Sequence, residues 1–171
     1  MSGEKNFENV LAQIEKNGRA EFYTRGFSML PMLKEGRDIS VLVPVNRALK
    51  RGDVVMFVRK ARENELVLHR IIRFCGDGSL IIRGDNTYRD EPVKAEDVKA
   101  LLEGFFRKGR YYNCEKSLRY RTYSFFRVFL YPVRRFFCHT LRIAGAKIKN
   151  NVFHLNNLHL DNLLGKNRSN H

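Results

Sequence analysis

Two residues with hydrolytic potential, Ser28 and His69, stand in segments that favour a rigid placement of their side chains. Ser28 follows an alternating, strand-like stretch over residues 19–25, and Gly26 permits an unusual backbone angle just before it. Pro31 then prevents the segment from continuing as regular strand or helix. A free serine hydroxyl is a weak nucleophile and needs a positioned base to accept its proton. A histidine on a neighbouring strand is the natural candidate for that base.

His69 interrupts an apolar run over residues 65–74 that predicts a half-buried strand. A later short strand ends in a glycine-acid-amide turn at residues 84–86, and Asp90 follows shortly after it. Three strand ends could therefore bring a hydroxyl, an imidazole and carboxylates to one place. A lone serine in a turn or a lone histidine in a strand is usually structural, so only the shared order of these segments favours catalysis.

Four short segments occur in an order that resembles the signal peptidase I superfamily of serine peptidases, which includes the LexA-type self-cleaving proteins. They are SMLP at 28–31, GDVVMF at 52–57, LHRII at 68–72 and GDN at 84–86. A histidine in place of the superfamily's usual lysine resembles the endoplasmic-reticulum and archaeal branch. The resemblance covers residues 23–106, about half of the chain.

The resemblance implies a serine endopeptidase in which Ser28 is the nucleophile and His69 the general base. It implies that Asp90 orients the imidazole and Asp85 holds the turn, although spacing leaves these two roles interchangeable. The backbone of Ser28 and Gly26 is expected to support the oxyanion, because Gly26 replaces a serine that contributes a hydroxyl in many signal peptidases. Four further residues are expected to support the substrate or the turn: Met29, Pro31, Gly84 and Asn86. No metal and no cofactor are expected.

Two consequences follow for the expected activity. Loss of one oxyanion donor typically costs on the order of 100- to 1,000-fold in rate, so slow or narrowly restricted cleavage is expected. His69 must be neutral to accept a proton, so activity is expected to fall below its pKa, about 6 to 7 for an unperturbed imidazole.

The expected substrate is a peptide or pre-protein, such as a leader or signal segment, cut in a small-residue context and held by strand addition. A second interpretation keeps the chemistry but assigns it to trimming the leader of a ribosomally made peptide inside the cell. The alternative from another class is a non-catalytic or self-cleaving member that acts as a binding module for a membrane surface, a peptide or nucleic acid.

The net charge of +14 is unevenly distributed along the 171 residues. Residues 1–104 contain 18 lysines and arginines and 16 acidic residues. Residues 105–171 contain 14 lysines and arginines and 2 acidic residues. This asymmetry predicts an anionic partner for the second part: lipid head groups, a leader peptide or nucleic acid. Nucleic acid is the least favoured, because the sequence has no helix-turn-helix or zinc pattern.

The sequence predicts a mainly β fold, a signal-peptidase-like curved β-sheet or barrel, with a short N-terminal helix and a basic helical C-terminal extension. Its four parts are an N-terminal helix at 1–18, a β catalytic domain at 19–108, a basic aromatic extension at 109–150 and a loose polar tail at 151–171. Further strands are predicted over 38–45, 53–59 and 98–106, with a hairpin turn at 76–78. The N-terminal helix, over 4–16, is expected to cover an edge of the sheet.

The extension holds ten of the chain's twenty Phe and Tyr residues between positions 111 and 137, interleaved with arginines. A helix is predicted over 117–131, ending at Pro132, and a second over 133–148. Two roles stay open with equal weight: an interfacial membrane helix, or an apolar face that packs on the β domain. His154 and His159 are poorly spaced for a shared helical metal site.

Cysteine usage and hydropathy predict a cytoplasmic location, with peripheral placement on the inner membrane face as a variant. The three cysteines are Cys75, Cys114 and Cys138, an odd number without metal-ligand spacing. Residues 1–18 are polar and do not resemble a signal peptide, and no apolar run is long enough for a spanning helix.

Overall fold

The computed structural model describes residues 2–59 and 65–131. The chain forms two compact units, Met1–Leu130 and Tyr131–His171, and Tyr131 is the one described residue of the second. The predicted helix over 133–148, the tail at 151–171 and the two histidines of that tail lie outside the described residues.

The described part is mainly β, as the sequence predicts. Its elements are α1 (Ser2–Asn17), β1 (Ala20–Tyr23), β2 (Asp38–Val43), β3 (Val54–Arg59), β4 (Glu65–Phe74), β5 (Leu80–Arg83), β6 (Glu91–Val93), a 3₁₀ turn (Ala95–Asp97), β7 (Val98–Arg107), β8 (Arg110–Asn113) and α2 (Leu118–Phe129). The short strands β6 and β8 have no counterpart in the sequence prediction. These two strands form by pairing with β5 and β7, so the strand propensity of their own residues predicts them poorly.

All eight strands form one antiparallel sheet in the order β1-β2-β7-β3-β4-β5-β6, with β8 paired to β7. The long strand β7 pairs with β2 along one edge and with β3 and β8 along the other. Register shifts interrupt three of these pairings. Strand β7 has one extra residue opposite Val41–Leu42 of β2 and another opposite Met56–Phe57 of β3, and β4 has one extra residue at Ile72. Such bulges bend a strand and increase its local twist.

Two hydrophobic clusters lie on opposite faces of the sheet, because successive strand residues point to opposite sides. In β4, Leu68 belongs to the first cluster, whereas Val67 and Ile71 belong to the second. The same alternation places Arg70 on the first face and His69 on the second. The strand that carries the candidate base therefore presents two buried polar side chains in opposite directions.

Helix α1 packs on the first cluster through Val10 and Ile14 and contacts β1 and β4. Helix α2 begins at its N-cap Ser117, whose hydroxyl accepts a hydrogen bond from the Tyr120 amide at 3.2 Å. Both β8 and α2 belong to the first unit, so this unit extends beyond the boundary predicted near residue 108. Neither of the two described helices has the length and apolar character needed to cross a bilayer.

Candidate functional site

The turn that contains Ser28 follows β1 and is held in place by side chains that are buried in the first hydrophobic cluster. Gly26 has a φ of +77°, a left-handed conformation that favours glycine. Met29 and Leu33 are buried in the first cluster, and the Leu33 amide donates to the Met29 carbonyl oxygen at 2.9 Å. Pro31 follows a cis peptide bond within this turn. Ser28 itself is half-buried, at the start of a turn whose apolar anchors limit its movement.

Ser28 and His69 converge at Gly84. A Cβ atom on Gly84 would lie 2.7 Å from the Ser28 carbonyl oxygen and 2.9 Å from His69 Nε2. The Ser28 carbonyl oxygen and His69 Nε2 are therefore separated by no more than the sum of those two distances. The Asn86 amide also donates to the Ser28 carbonyl oxygen, at 2.7 Å. The turn at 84–86 thus holds the Ser28 backbone beside the imidazole, and only glycine fits at its first position.

His69 is buried, with 2% of its surface exposed. Burial lowers its pKa from 6.5 to about 4; the charge of Glu91 opposes this shift, and that of Arg59 adds to it. The imidazole is therefore neutral at physiological pH, and its pKa lies below the 6 to 7 expected for an unperturbed histidine. The Phe57 ring, whose centroid lies 6.0 Å from that of the imidazole, contributes to this apolar environment.

The carboxylate beside the imidazole belongs to Glu91, where the sequence predicts Asp90. Glu91 Oε1 lies 3.4 Å from His69 Nδ1, and no described residue forms a hydrogen bond with this nitrogen. Arg59 holds Glu91 with contacts of 2.6, 2.7 and 2.9 Å. Asp90 instead pairs with Arg83. Asp90 immediately precedes β6 and Glu91 is its first residue, and the two carboxylates bind different arginines, Arg83 and Arg59.

Asp85 holds the turn and the adjacent strand together. Its two oxygens accept hydrogen bonds from Arg70 Nε and Nη2, each at 2.8 Å, and Oδ2 also accepts one from the Tyr123 hydroxyl at 3.0 Å. Such a bidentate pair fixes both partners geometrically. Asp85 therefore connects the turn at residues 84–86 to β4 and α2.

Arg70 connects the histidine strand to α2, a role that the sequence prediction does not include. The side chain is fully buried. Its Nη1 donates to the Gly52 carbonyl oxygen at 2.7 Å, to Ser124 Oγ at 2.8 Å and to the Tyr120 hydroxyl at 3.3 Å. The sequence contained one indication of this role, an arginine directly after the histidine. Successive side chains of a strand point to opposite faces, so Arg70 must lie on the face opposite to His69.

The predicted oxyanion donors differ in their availability. The Gly26 amide donates to Glu35 Oε2 at 2.8 Å and is therefore occupied in this structure. The adjoining Phe27 side chain is 72% exposed. The Ser28 amide is then the donor that remains from the predicted pair, and with glycine at position 26 there is no side-chain donor there.

Strand edges near the serine and the histidine lack strand partners within the described residues. β1, which precedes Ser28, ends the sheet order and pairs on one side with β2. β4 pairs with β3 over residues 65–70, but with β5 only from Arg70 onward. Residues 65–69, including His69, therefore have a side without a paired strand in the described part of the chain.

A cavity of about 560 Å³ lies between residues 47–54 and α2, and neither Ser28 nor His69 lines it. The convergence of Ser28 and His69 is thus separate from this concave site. An extended peptide that binds along strand edges does not require a deep cavity. Within residues 2–59 and 65–131, no three His, Cys, Asp or Glu side chains are grouped as metal ligands.

Comparison with known proteins does not identify a family. No protein-family model matches the chain, and a search of curated proteins finds no significant match.

Proposed function

We propose that this chain is a serine endopeptidase of the signal peptidase I superfamily, of the type that uses a histidine base. The observation that carries the proposal is the meeting of the Ser28 backbone and His69 Nε2 at Gly84. These residues belong to the segments that resemble the superfamily, SMLP, LHRII and GDN. The antiparallel sheet supplies the neighbouring strand ends that such a site needs.

In the proposed reaction, Ser28 Oγ attacks the carbonyl carbon of the scissile peptide bond, and its proton passes to His69 Nε2. The Ser28 amide donates to the developing oxyanion. The C–N bond then breaks, the imidazolium returns its proton to the leaving amine, and water hydrolyses the acyl-enzyme. The Ser28 hydroxyl must meet Nε2 in the substrate complex, where catalytic hydrogen bonds often shorten relative to the free enzyme.

The electrostatics of His69 make it an available but weak base. With a pKa of about 4, it is neutral at pH 7 and can accept a proton. A base is most effective when its pKa is close to the working pH, so the low value reduces the driving force for proton transfer. The charge of Glu91 favours the imidazolium form, and the pKa of about 4 already includes this contribution.

We propose that the substrate binds as an added strand. The side of residues 65–69 that has no described strand partner lies on the histidine strand, and the outer edge of β1 precedes the serine turn. Main-chain hydrogen bonds at such edges provide affinity, and pockets for alternate side chains provide selectivity. The substrate class is a peptide or pre-protein segment that can adopt an extended conformation.

Two observations favour a second candidate, a self-cleaving or non-catalytic member of the same superfamily. The Gly26 amide is already bound by Glu35, and the His69 pKa is low for a base acting at neutral pH. Both features reduce the rate expected for cleavage in trans. They matter less for a tethered segment, because its high effective concentration compensates for a slow chemical step.

The deciding experiment compares new protein N-termini in source cells that carry the wild type, Ser28→Ala or Ser79→Ala at matched protein levels. Ser79 is a suitable control because its hydroxyl bonds Asp77 within the hairpin turn. Cleavages lost with Ser28→Ala and retained with Ser79→Ala support the peptidase, and His69→Ala should remove the same set.

Three identical N-terminal profiles, together with an uncut chain, would refute both the peptidase and its self-cleaving variant. A change confined to the N-terminus of this chain itself would assign the activity to self-cleavage. The sequences that flank the lost cleavage sites would define the substrate preference.

A further inference from the structure

Helix α2 places Tyr120 and Ser124 on its inner side and leaves its phenylalanines on the outer side. Tyr120, Ser124 and Val128, spaced four apart, lie on the inner side, where the first two bond Arg70. The outer side is formed by four residues that are each about half exposed: Phe125, Phe126, Phe129 and Leu130. We call these four residues the outer face of α2. Contiguous apolar surface of this kind usually marks an interaction site.

Basic side chains flank the outer face of α2. Lys50, Arg51 and Arg121 line the 560 Å³ cavity that separates residues 47–54 from the helix. None of these three cations forms an ion pair with a carboxylate of the described residues; the acidic residues of this cavity, Asp53 and Glu115, pair with Arg47. The excess continues along the chain, since residues 116–131 contain four lysines and arginines and no acidic residue.

The cations and the aromatic rings are adjacent in space. The Arg51 guanidinium carbon lies 4.4 Å from the centroid of the Phe129 ring, and the Phe125 and Phe129 rings stack with centroids 4.4 Å apart. An arginine in this position can keep its charge in the headgroup layer while the ring beneath it enters the apolar layer. A stripe of aromatic and aliphatic residues bordered by cations is the pattern of a helix that lies in a membrane interface.

We propose that the outer face of α2 binds an anionic membrane surface. Its four side chains contain no hydrogen-bonding groups, so contact with acyl chains satisfies them without a directional partner. Lys50, Arg51 and Arg121 supply the complementary charge for lipid phosphates. This surface is independent of the proposed peptidase chemistry and requires neither Ser28 nor His69.

The Arg70 network keeps this surface in a fixed relation to the histidine strand. Arg70 follows His69 in β4 and bonds both Ser124 of α2 and the Gly52 carbonyl oxygen, next to Arg51. Both sides of the proposed membrane surface are therefore attached to one buried guanidinium. Binding through α2 would hold the strand of the candidate site at a defined orientation near the bilayer.

The first test measures cosedimentation of the full chain with phosphatidylcholine vesicles, with and without phosphatidylglycerol. Binding is expected only with the anionic lipid and should weaken as salt increases. Phe129→Ser should lower the partition coefficient about 3- to 10-fold, from the loss of a half-buried aromatic side chain. Phe74→Ser is the matched control, because Phe74 and Phe129 are both 49% exposed, and it should leave binding unchanged.

The charged component is tested with Arg51→Gln, which should lower partitioning about 5-fold. The control is Arg73→Gln, at an exposed arginine of β4 that does not line the cavity beside α2, and it should have no effect. The folded state of each variant is checked by circular dichroism and urea unfolding. Equal binding to neutral and anionic vesicles, or equal losses for the α2 variants and their controls, would overturn the proposal.

A spectroscopic reporter separates this surface from the rest of the chain. The chain contains no tryptophan, so Phe126→Trp introduces a single tryptophan on the outer face, which can be excited selectively over the seven tyrosines. Its emission should shift to the blue with anionic vesicles and be quenched by brominated lipids, whereas a Phe74→Trp reporter should not respond. Vesicle binding with an unresponsive Phe126→Trp would place the contact on another part of the chain and refute the assignment.

Discussion

Acidification is expected to destabilise the folded chain through His69, and the perturbation can be isolated with His69→Gln. The wild-type imidazole is 2% exposed, and its burial disfavours the charged form. Glutamine retains polarity at this position but does not titrate. The unfolding free energy of each protein is measured as a function of pH. Both proteins contain the other four histidines, so the difference between their two pH dependences reports the protonation of His69 alone.

The size and sign of the effect follow from the pKa of His69. Above pH 6.5 the imidazole is neutral in both states, and its stabilising contribution is fully present. As the pH falls from 6.5 to about 4, the unfolded chain takes up a proton that the folded site excludes, so folding stability decreases. The total corresponds to on the order of 3 kcal/mol of unfolding free energy.

The assay is urea unfolding followed by circular dichroism at several pH values from 7 to 4. The glutamine substitution will change the absolute stability, but a constant offset cancels when the two slopes are compared. The wild type should lose on the order of 3 kcal/mol more than His69→Gln over this range. Parallel pH dependences, or a wild type that gains stability relative to the variant in acid, would refute the burial argument.

Three further outcomes are expected at other positions. Glu91→Gln should slow cleavage by up to about 100-fold and move the acid limb of the pH–rate profile to lower pH, because the charge of Glu91 raises the pKa of His69. Asp90→Asn is the control and should do neither, because Asp90 pairs with Arg83. Equal effects of the two substitutions would contradict the assignment of Glu91 as the carboxylate beside the imidazole. Gly84→Ala should lower the unfolding free energy measured in urea by about 1–3 kcal/mol, because the new Cβ would lie 2.7 Å from the Ser28 carbonyl oxygen. Gly76→Ala is the control, because a Cβ at that position meets no atom within 4 Å. Burial raises the pKa of the Cys114 thiol to about 12, so this thiol should resist alkylation until the chain unfolds. Rapid labelling mapped to Cys114 in the native protein would contradict this, whereas labelling of the partly exposed Cys75 would not.

The strands that carry the site were predictable because their signals are local. Alternating or apolar runs bounded by glycine turns predict β3, β4, β5 and β7, and all four are present. The helix predicted over 117–131 is observed as α2 at Leu118–Phe129, because Ser117 is a strong N-cap. By contrast, β6 and β8 are short strands that depend on pairing with sequence-distant partners.

The acidic member of the site could not be chosen from spacing. Asp90 and Glu91 are adjacent carboxylates, and the choice between them depends on which side of β6 faces His69. That side is set by the pairing of β6 with β5 and by Arg59 and Arg83, which bind the two carboxylates separately. A difference of one residue along a strand reverses the direction of a side chain.

The direction of α2 was also undetermined by its sequence. Aromatic residues occur around much of the helix, so periodicity alone allows either an apolar inner face or an apolar outer face. Arg70 decides between them, because a fully buried guanidinium requires hydrogen-bond acceptors and Ser124 and Tyr120 provide them. The phenylalanines of α2 are consequently left on the outer side.

The mainly β class, the serine turn, the histidine strand and the basic character of the chain beyond residue 104 follow from the amino-acid sequence. These properties depend on local propensity, on glycine and proline backbone limits and on composition, which tertiary contacts modify little. Only the folded chain places Glu91 beside His69, buries this imidazole so that its pKa falls to about 4, and leaves the phenylalanines of α2 on the outer side of the helix. Each of these depends on distances between residues far apart in the chain, and burial and charge act through those distances.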